Sequence, residues 1–164
     1  MIRIGILSDT HCFLHEKVFD FFASCDQVWH AGDIGNAATA DKLESFKPLV
    51  AVYGNIDSHT LRARFPQHQL FNAGGKKILI THIGGTPGKY DSEARKIIIR
   101  EKPDIFVCGH SHICRVQYDE RNSLLYINPG AAGKFGFHQK ITLLRFVIVG
   151  GSMKDMEILE LEKH

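Results

Sequence analysis

Short apolar runs that alternate with helical patterns constrain the fold of this sequence more than any other feature. The first run, Ile2 to Leu7, is aliphatic and β-branched without strict alternation, which is typical of a strand covered on both faces. A helical pattern follows, because apolar side chains recur at helical spacing at Leu14, Val18, Phe21 and Phe22. This alternation predicts an α/β arrangement in which helices cover a largely parallel sheet.

The remaining elements of the first two-thirds follow from similar patterns. Strands are predicted over 27–29, 49–53 and 105–108, with a hairpin that joins 67–72 to 77–81. Helices are predicted after the capping residues Asn36 and Ser58, and from about Ser92.

Two segments depart from the alternation. Gly84 to Gly88 is rich in glycine and is expected to be an irregular loop over the strand ends. Beyond Ile113 the chain shows only strand patterns and turn residues, over 114–118, 124–128, 140–149 and 154–161. We therefore expect an antiparallel meander in the last third.

Length and charge limit the classes of function. The chain has 164 residues, 44% of them hydrophobic, which suffices for one domain over 1–164. Its net charge is only +2 and its basic residues are scattered, so duplex nucleic acid is not an expected partner. No leader-like segment and no apolar run of about 18 residues is found, and we expect a cytoplasmic protein without a membrane span. Whether it forms a homo-oligomer is left open.

Polar side chains of the types that bind metal follow five successive apolar runs. They are Asp9, Asp33, Asn55, His82 and His110. Ligands gather at the carboxyl ends of strands in open α/β sheets, so these side chains are expected to converge. Each of them alone is more typical of a turn, but His11 and His112 extend the set to seven.

The composition of this set predicts two divalent ions. Asp33 follows a glycine that lets the backbone approach, and its carboxylate is the natural bridge between ions about 3.5 to 4 Å apart. The first ion would take Asp9, His11 and His112, and the second Asn55, His82 and His110. Mixed carboxylate, amide and imidazole ligands suit Mn²⁺, Fe²⁺, Ni²⁺ or Zn²⁺ better than Ca²⁺. We expect Mn²⁺, with Ni²⁺, Fe²⁺, Zn²⁺ or Mg²⁺ as alternatives. None of the four cysteines lies in a CxxC pair, which disfavours a structural zinc site.

The motifs resemble those of the calcineurin-like metallophosphoesterases, most closely the YfcE-like phosphodiesterases. In chain order they are Asp9-x-His11, Gly32-Asp33, Gly54-Asn55, His82 and Gly109-His110-Ser111-His112. The resemblance, which runs from Met1 to about Gly130, implies a four-layer α/β/β/α sandwich of two mixed β-sheets flanked by helices. It also implies hydrolysis of a small phosphodiester or nucleotide-like substrate by a metal-bridging hydroxide, with Asp33, Asn55 and His110 as catalytic residues.

One position departs from the pattern of that family. Many members carry a histidine directly after the motif asparagine, where this chain has Ile56. Isoleucine has no proton to give a leaving group, so aryl esters should be hydrolysed much faster than alkyl esters. Similar rates would imply that another group, such as His59 or His138, acts as the acid.

Residues of two other regions are candidates for binding substrate. They are His59, Lys134 and His138. The glycine-rich segment 128–138 could cradle a phosphate, with Phe135 or Phe137 stacking on a base, or it could be a turn with core phenylalanines. His30 is expected to be a buried, hydrogen-bonded support, and Asp57 to brace its turn.

Two other functions stay open on the sequence. A phosphomonoesterase could close the loop from Gly84 to Tyr90 over a terminal phosphate. The other is a metal-poor scaffold for protein partners, similar to the eukaryotic retromer subunit. In such scaffolds some of the metal-ligand residues are usually replaced by other residues. None of the seven is replaced here.

Overall fold

The structure is a computed structural model that describes residues 1–164. Its strands are β1 (Ile2–Leu7), β2 (Gln27–His30), β3 (Leu49–Ala51), β4 (His68–Ala73), β5 (Lys76–Thr81), β6 (Gly85–Thr86), β7 (Lys89–Tyr90), β8 (Ile105–Val107), β9 (Cys114–Asp119), β10 (Leu124–Pro129), β11 (Lys140–Val149) and β12 (Ser152–Glu162). Its helices are α1 (Lys17–Phe21), α2 (Ala37–Phe46), α3 (His59–Arg64) and α4 (Ser92–Glu101). No helix is long and apolar enough to cross a bilayer.

The strands form two five-stranded sheets and one two-stranded ribbon. The first sheet has the order β12-β11-β1-β2-β3, in which β1, β2 and β3 are parallel and β11 and β12 antiparallel. The second has the order β4-β5-β8-β10-β9, with a parallel centre of β5, β8 and β10 between antiparallel edges. Both sheets are therefore mixed.

The two sheets pack face to face, and helices cover their outer faces. Ile6 of the first sheet and Ile80 of the second belong to one buried cluster between the sheets. Outside the first sheet, Val18 of α1 and Leu43 of α2 are fully buried in a second cluster. Outside the second sheet, Ile98 of α4 belongs to a third. This confirms the predicted four-layer α/β/β/α sandwich.

The antiparallel meander predicted for the last third is wrong. The hairpin of β9 and β10 joins the second sheet through the parallel pairing of β10 with β8, whereas β11 and β12 join the first sheet through β1. The physical reason is burial, because β10 is buried at five of its six positions. A strand that is covered on both faces needs a partner layer on each side, which a one-sided meander does not supply.

Local differences from the predictions lie near the strand ends. Helix α1 begins only at Lys17, because the chain after β1 first passes through left-handed backbone at His11 and Cys12. Gly85 and Gly88, both at positive φ, let the expected loop form the short ribbon of β6 and β7. Strand β3 ends at Ala51, two residues early. The helix capped by Asn36 ends at Phe46, as predicted.

Candidate metal centre

The parallel strands of the two sheets bring their carboxyl ends to one edge of the sandwich. Asp9 follows β1, Asp33 follows β2, and Asn55 follows β3 in the first sheet. His82 directly follows β5 in the second sheet, and His110 lies just beyond β8. All seven residues predicted to bind metal are at this edge, and we divide six of them into two groups.

The first group, here called the Asp9 group, consists of Asp9, His11 and His112, whose candidate ligand atoms lie within 4.8 Å of one another. Asp9 Oδ1 is 3.2 Å from His112 Nε2, and Oδ2 accepts hydrogen bonds from the Ser8 hydroxyl at 2.6 Å and the His110 backbone N–H at 3.1 Å. Burial favours a higher pKa, but the hydrogen bonds from His112 and Ser8 and the charge of His82 outweigh it and lower the pKa of Asp9. A fixed carboxylate anion thus faces two imidazoles.

The second group, here called the Asp33 group, consists of Asp33, His82 and His110, again within 4.8 Å. Asp33 Oδ2 lies 3.2 Å from His82 Nε2 and 3.5 Å from His11 Nε2. It therefore faces both groups, which is the position that a bridging carboxylate needs. Asn55 joins this group through its Oδ1, 3.1 Å from His110 Nδ1.

Two imidazole nitrogens of the ligand groups have no hydrogen-bond partner although they are buried. They are Nε2 of His11 and Nε2 of His82. The Nδ1–H of His82 donates to the carbonyl of Ala31 at 2.7 Å, so the lone pair of Nε2 can bind a metal ion when that nitrogen is deprotonated. Burial opposes protonation of His82, but the Asp33 carboxylate, 3.2 Å from Nε2, and the charge of Asp9 raise its pKa. Because an unpaired buried nitrogen is costly, these atoms fit divalent cations.

The backbone of five of the seven residues is left-handed. The φ angles lie between 44° and 71° at Asp9, His11, Asp33, His110 and His112. Such conformations cost about 1–3 kcal/mol each in residues other than glycine and cluster at functional sites.

The glycines of the motifs are required by close packing. A Cβ atom on Gly54 would lie 2.1 Å from Asp33 Oδ1, and one on Gly109 would lie 2.1 Å from Ser8 Oγ. Larger residues at these positions would push the carboxylates out of place.

Two polar residues behind the centre hold it by hydrogen bonds. His30 is fully buried and accepts from the backbone N–H of Gly32 at 3.0 Å, while its other ring nitrogen donates to the Thr10 hydroxyl at 3.0 Å. Burial lowers its pKa to about 4, so the ring is neutral. The carboxylate of Asp57 accepts three backbone N–H groups at 2.8 to 3.1 Å, from Ile34, Gly35 and Gly54. Both residues are supports, as the sequence indicated.

Asn128 is a support that the sequence reasoning missed. It lies in β10 beside the His110 loop, and its amide donates to the Gly109 carbonyl and the Ser111 hydroxyl, each at 3.0 Å. The signal was present, since Asn128, like five of the seven candidate ligands, is a polar residue at the end of an apolar run.

The three predicted substrate-binding residues differ in position. His138 lies edge-on to His112 with ring centroids 5.1 Å apart, and its Nδ1 is buried without a partner. Lys134 instead places its ammonium over the ring of Phe13 at 4.6 Å, and His59 is exposed at the start of α3. The structure brings only His138 of these three to the centre. Phe135 joins it there by stacking on His11 at 5.0 Å.

Comparison with known proteins connects this geometry to one family. The model of the calcineurin-like phosphoesterase superfamily domain matches residues 2–150. A probable metallophosphoesterase of Methanocaldococcus jannaschii is 29% identical over 134 residues, which cover 78% of this chain and 67% of that protein.

Solved structures show the same fold. Vps29 of Chaetomium thermophilum superposes with a TM-score of 0.76 at 17% identity and covers 100% of both chains. A structure described as a novel archaeal phosphodiesterase has a TM-score of 0.74 at 21% identity and covers 96% of this chain and 100% of that one. At such identities the likeness shows the fold alone.

Proposed function

The chain belongs to the calcineurin-like phosphoesterase superfamily, and from that premise we propose that it is a two-metal phosphodiesterase. The observation that carries the proposal is the juxtaposition of the Asp9 group and the Asp33 group, with Asp33 facing both. Two buried, unpaired imidazole nitrogens, one in each group, support a pair of ions rather than one. Among the divalent ions that such mixed oxygen and nitrogen ligands accommodate, we favour Mn²⁺.

The residues of the centre differ in exposure, and this suggests separate roles. Asp9, Asp33 and His82 are buried, so they are suited to hold the ions. Asn55 and His110 are exposed and in contact with each other, so they can also reach a phosphoryl group. The ions, when bound, would lower the pKa of water and neutralise phosphoryl oxygens. Asn55 and His110 would orient the phosphoryl group by hydrogen bonds.

Ile56 contributes a backbone hydrogen bond to the centre, but its side chain has no proton to donate to a leaving group. The N–H of Ile56 donates to Asp33 Oδ1 at 3.0 Å, while its side chain is 45% exposed. Without an acid at this position, aryl phosphodiesters should exceed alkyl phosphodiesters in kcat/KM by about 10² to 10⁴, the usual worth of acid catalysis. Equal rates would instead point to a substitute acid, for which His138, beside His112, is better placed than His59.

The test combines metal analysis with a pair of aryl substrates. Purified protein should carry close to two equivalents of divalent metal and, with Mn²⁺, hydrolyse bis(p-nitrophenyl) phosphate faster than p-nitrophenyl phosphate. Faster hydrolysis of the monoester would establish the phosphomonoesterase instead. Protein that binds neither metal nor substrate would favour the scaffold for protein partners.

A further inference from the structure

A cavity of about 230 Å³ opens beside the Asp33 group. Asn55 and His82 form part of its wall, so whatever occupies it is next to the proposed reaction centre. Only two of its eleven lining residues are hydrophobic. The cavity is smaller than the roughly 300–1,000 Å³ pockets that take drug-sized ligands, so it suits a fragment of a substrate.

Part of the wall carries polar groups whose mutual contacts are weak. Glu93 Oε1 lies 3.3 Å from His68 Nε2, and Glu93 Oε2 lies 3.4 Å from Gln67 Nε2. These distances are at the long end for hydrogen bonds, so a ligand can compete for them. His68 itself is held by a 2.7 Å contact between Nδ1 and the hydroxyl of Thr81. The Glu93 carboxylate can therefore accept a hydrogen bond from a ligand, and the Gln67 amide can donate one, without the loss of a strong bond.

Arg62 supplies fixed donors on another side. Its Nε–H donates to the carbonyl of Asp57 at 2.9 Å, Nη2 donates to the carbonyl of Asn55 at 3.2 Å, and the guanidinium lies over the Tyr53 ring at 4.8 Å. A guanidinium has five N–H donors, so several stay available after these two bonds. Arg62 is thus anchored to the backbone of a proposed metal ligand while it faces the cavity.

Charge and polarity select one class of occupant. Asp91 and Glu93 both line the cavity, so a second phosphate would meet two carboxylates against the one guanidinium. An apolar substituent would leave polar groups unpaired. We propose that the cavity binds a neutral, hydroxyl-bearing substituent of the phosphodiester, of the size of glycerol or a pentose. This inference rests on the proposed phosphodiesterase function.

The kinetic test keeps the leaving group constant. The methyl, glyceryl and ribose-5-yl esters of p-nitrophenyl phosphate are compared with wild type, Glu93→Ala and Gln67→Ala, all loaded with Mn²⁺. We expect kcat/KM for the glyceryl or ribosyl ester to fall about tenfold in the variants, with the methyl ester changed less than twofold. Glu101→Ala is the matched control, since Glu101 lies on the same helix and contacts Lys77 outside the cavity.

Binding measurements separate this inference from the proposed function. By calorimetry with Mn²⁺, wild type should bind glycerol 1-phosphate or ribose 5-phosphate about tenfold more tightly than methyl phosphate, and Glu93→Ala should lose the preference. The inference is overturned if wild type binds the three phosphate monoesters with equal affinity. It is also overturned if kcat/KM falls equally for the three p-nitrophenyl esters in the variants, even when the enzyme is active. Preferential binding without any hydrolysis would instead contradict the phosphodiesterase alone. If only one of glycerol 1-phosphate and ribose 5-phosphate is preferred, the result shows whether the substituent in the cavity is a glycerol or a pentose.

Discussion

The two ligand groups of the metal centre share one edge of the sandwich but differ in what lies over them. In the Asp9 group, Phe135 stacks on His11 at 5.0 Å and 25°, and His138 lies edge-on to His112. In the Asp33 group, Asn55 and His110 are exposed, and a polar cavity opens beside them. Under the proposed function, the aromatic rings would screen the ion of the Asp9 group, and substrate and solvent would enter beside the Asp33 group.

The largest effect is expected from the residue that faces both groups. In Asp33→Asn the bridging charge is lost while the volume is kept, so both sites should weaken together. We expect at least about a 100-fold fall in kcat/KM, the lower range for losing a group that stabilises transition-state charge. Metal content by elemental analysis should fall in parallel.

Asp41→Asn is the matched control for this variant. Asp41 pairs with Arg64 on the surface, so its replacement should change neither metal content nor rate. If Asp33→Asn kept two equivalents of metal and full activity, Asp33 would not have its proposed bridging role. The Asp9 group and the Asp33 group would then not be connected through this carboxylate.

The next effect should separate the groups. His112→Ala removes a ligand of the Asp9 group, and His110→Ala removes one of the Asp33 group. Because the loss of even an outer support costs about 10–100-fold in metal affinity, each variant should lose one ion by at least that factor and keep the other. Calorimetric titration with Mn²⁺ should show one tight site in each variant. The loss of both sites in each would show that the groups are a single cooperative unit.

A third effect, on stability instead of on metal binding or rate, concerns the support that the groups share. His30 holds Thr10, between Asp9 and His11, and Gly32, before Asp33. The pKa of His30 is about 4 in the native state, against a reference value of 6.5 for the unfolded chain. Between about pH 4 and pH 6.5, the unfolded chain therefore binds a proton at His30 that the native state does not bind. Stability therefore falls as pH drops from about 6.5 to 4, by about 3 kcal/mol.

The measurement is urea unfolding of metal-free protein across this pH range. His30→Asn keeps an acceptor for the Gly32 N–H but cannot titrate, so its free energy of unfolding should lose that part of the pH dependence. His164→Gln, at the exposed C-terminal residue, is the control and should behave as wild type. An unchanged pH slope in His30→Asn would contradict the assignment of a neutral, buried imidazole.

The positions of these groups could be predicted from sequence to different degrees. The meeting of the seven candidate ligands at one edge was predictable, because five of them follow short apolar runs and parallel strands deliver such residues to one edge. The division of β10 and β11 between two sheets was not, because burial on both faces gives the same apolar pattern whichever sheet a strand joins. Nor was the contact of Phe135 with His11, since stacking between distant loops leaves no periodic signal in either segment.

The smallest effect tests the aromatic cover of the Asp9 group itself. An aromatic contact contributes about 0.5–1.5 kcal/mol, so Phe135→Ala should speed release of the ion in the Asp9 group roughly 2- to 10-fold and leave the other ion unchanged. Release into a chelator should be biphasic, and the phase absent from His112→Ala identifies the Asp9 group. Phe137→Ala is the control, because that ring is 100% exposed and covers nothing. Equal acceleration of both phases would mean that Phe135 only stabilises its loop, and the contrast between a screened and an open site would then rest on the cavity alone.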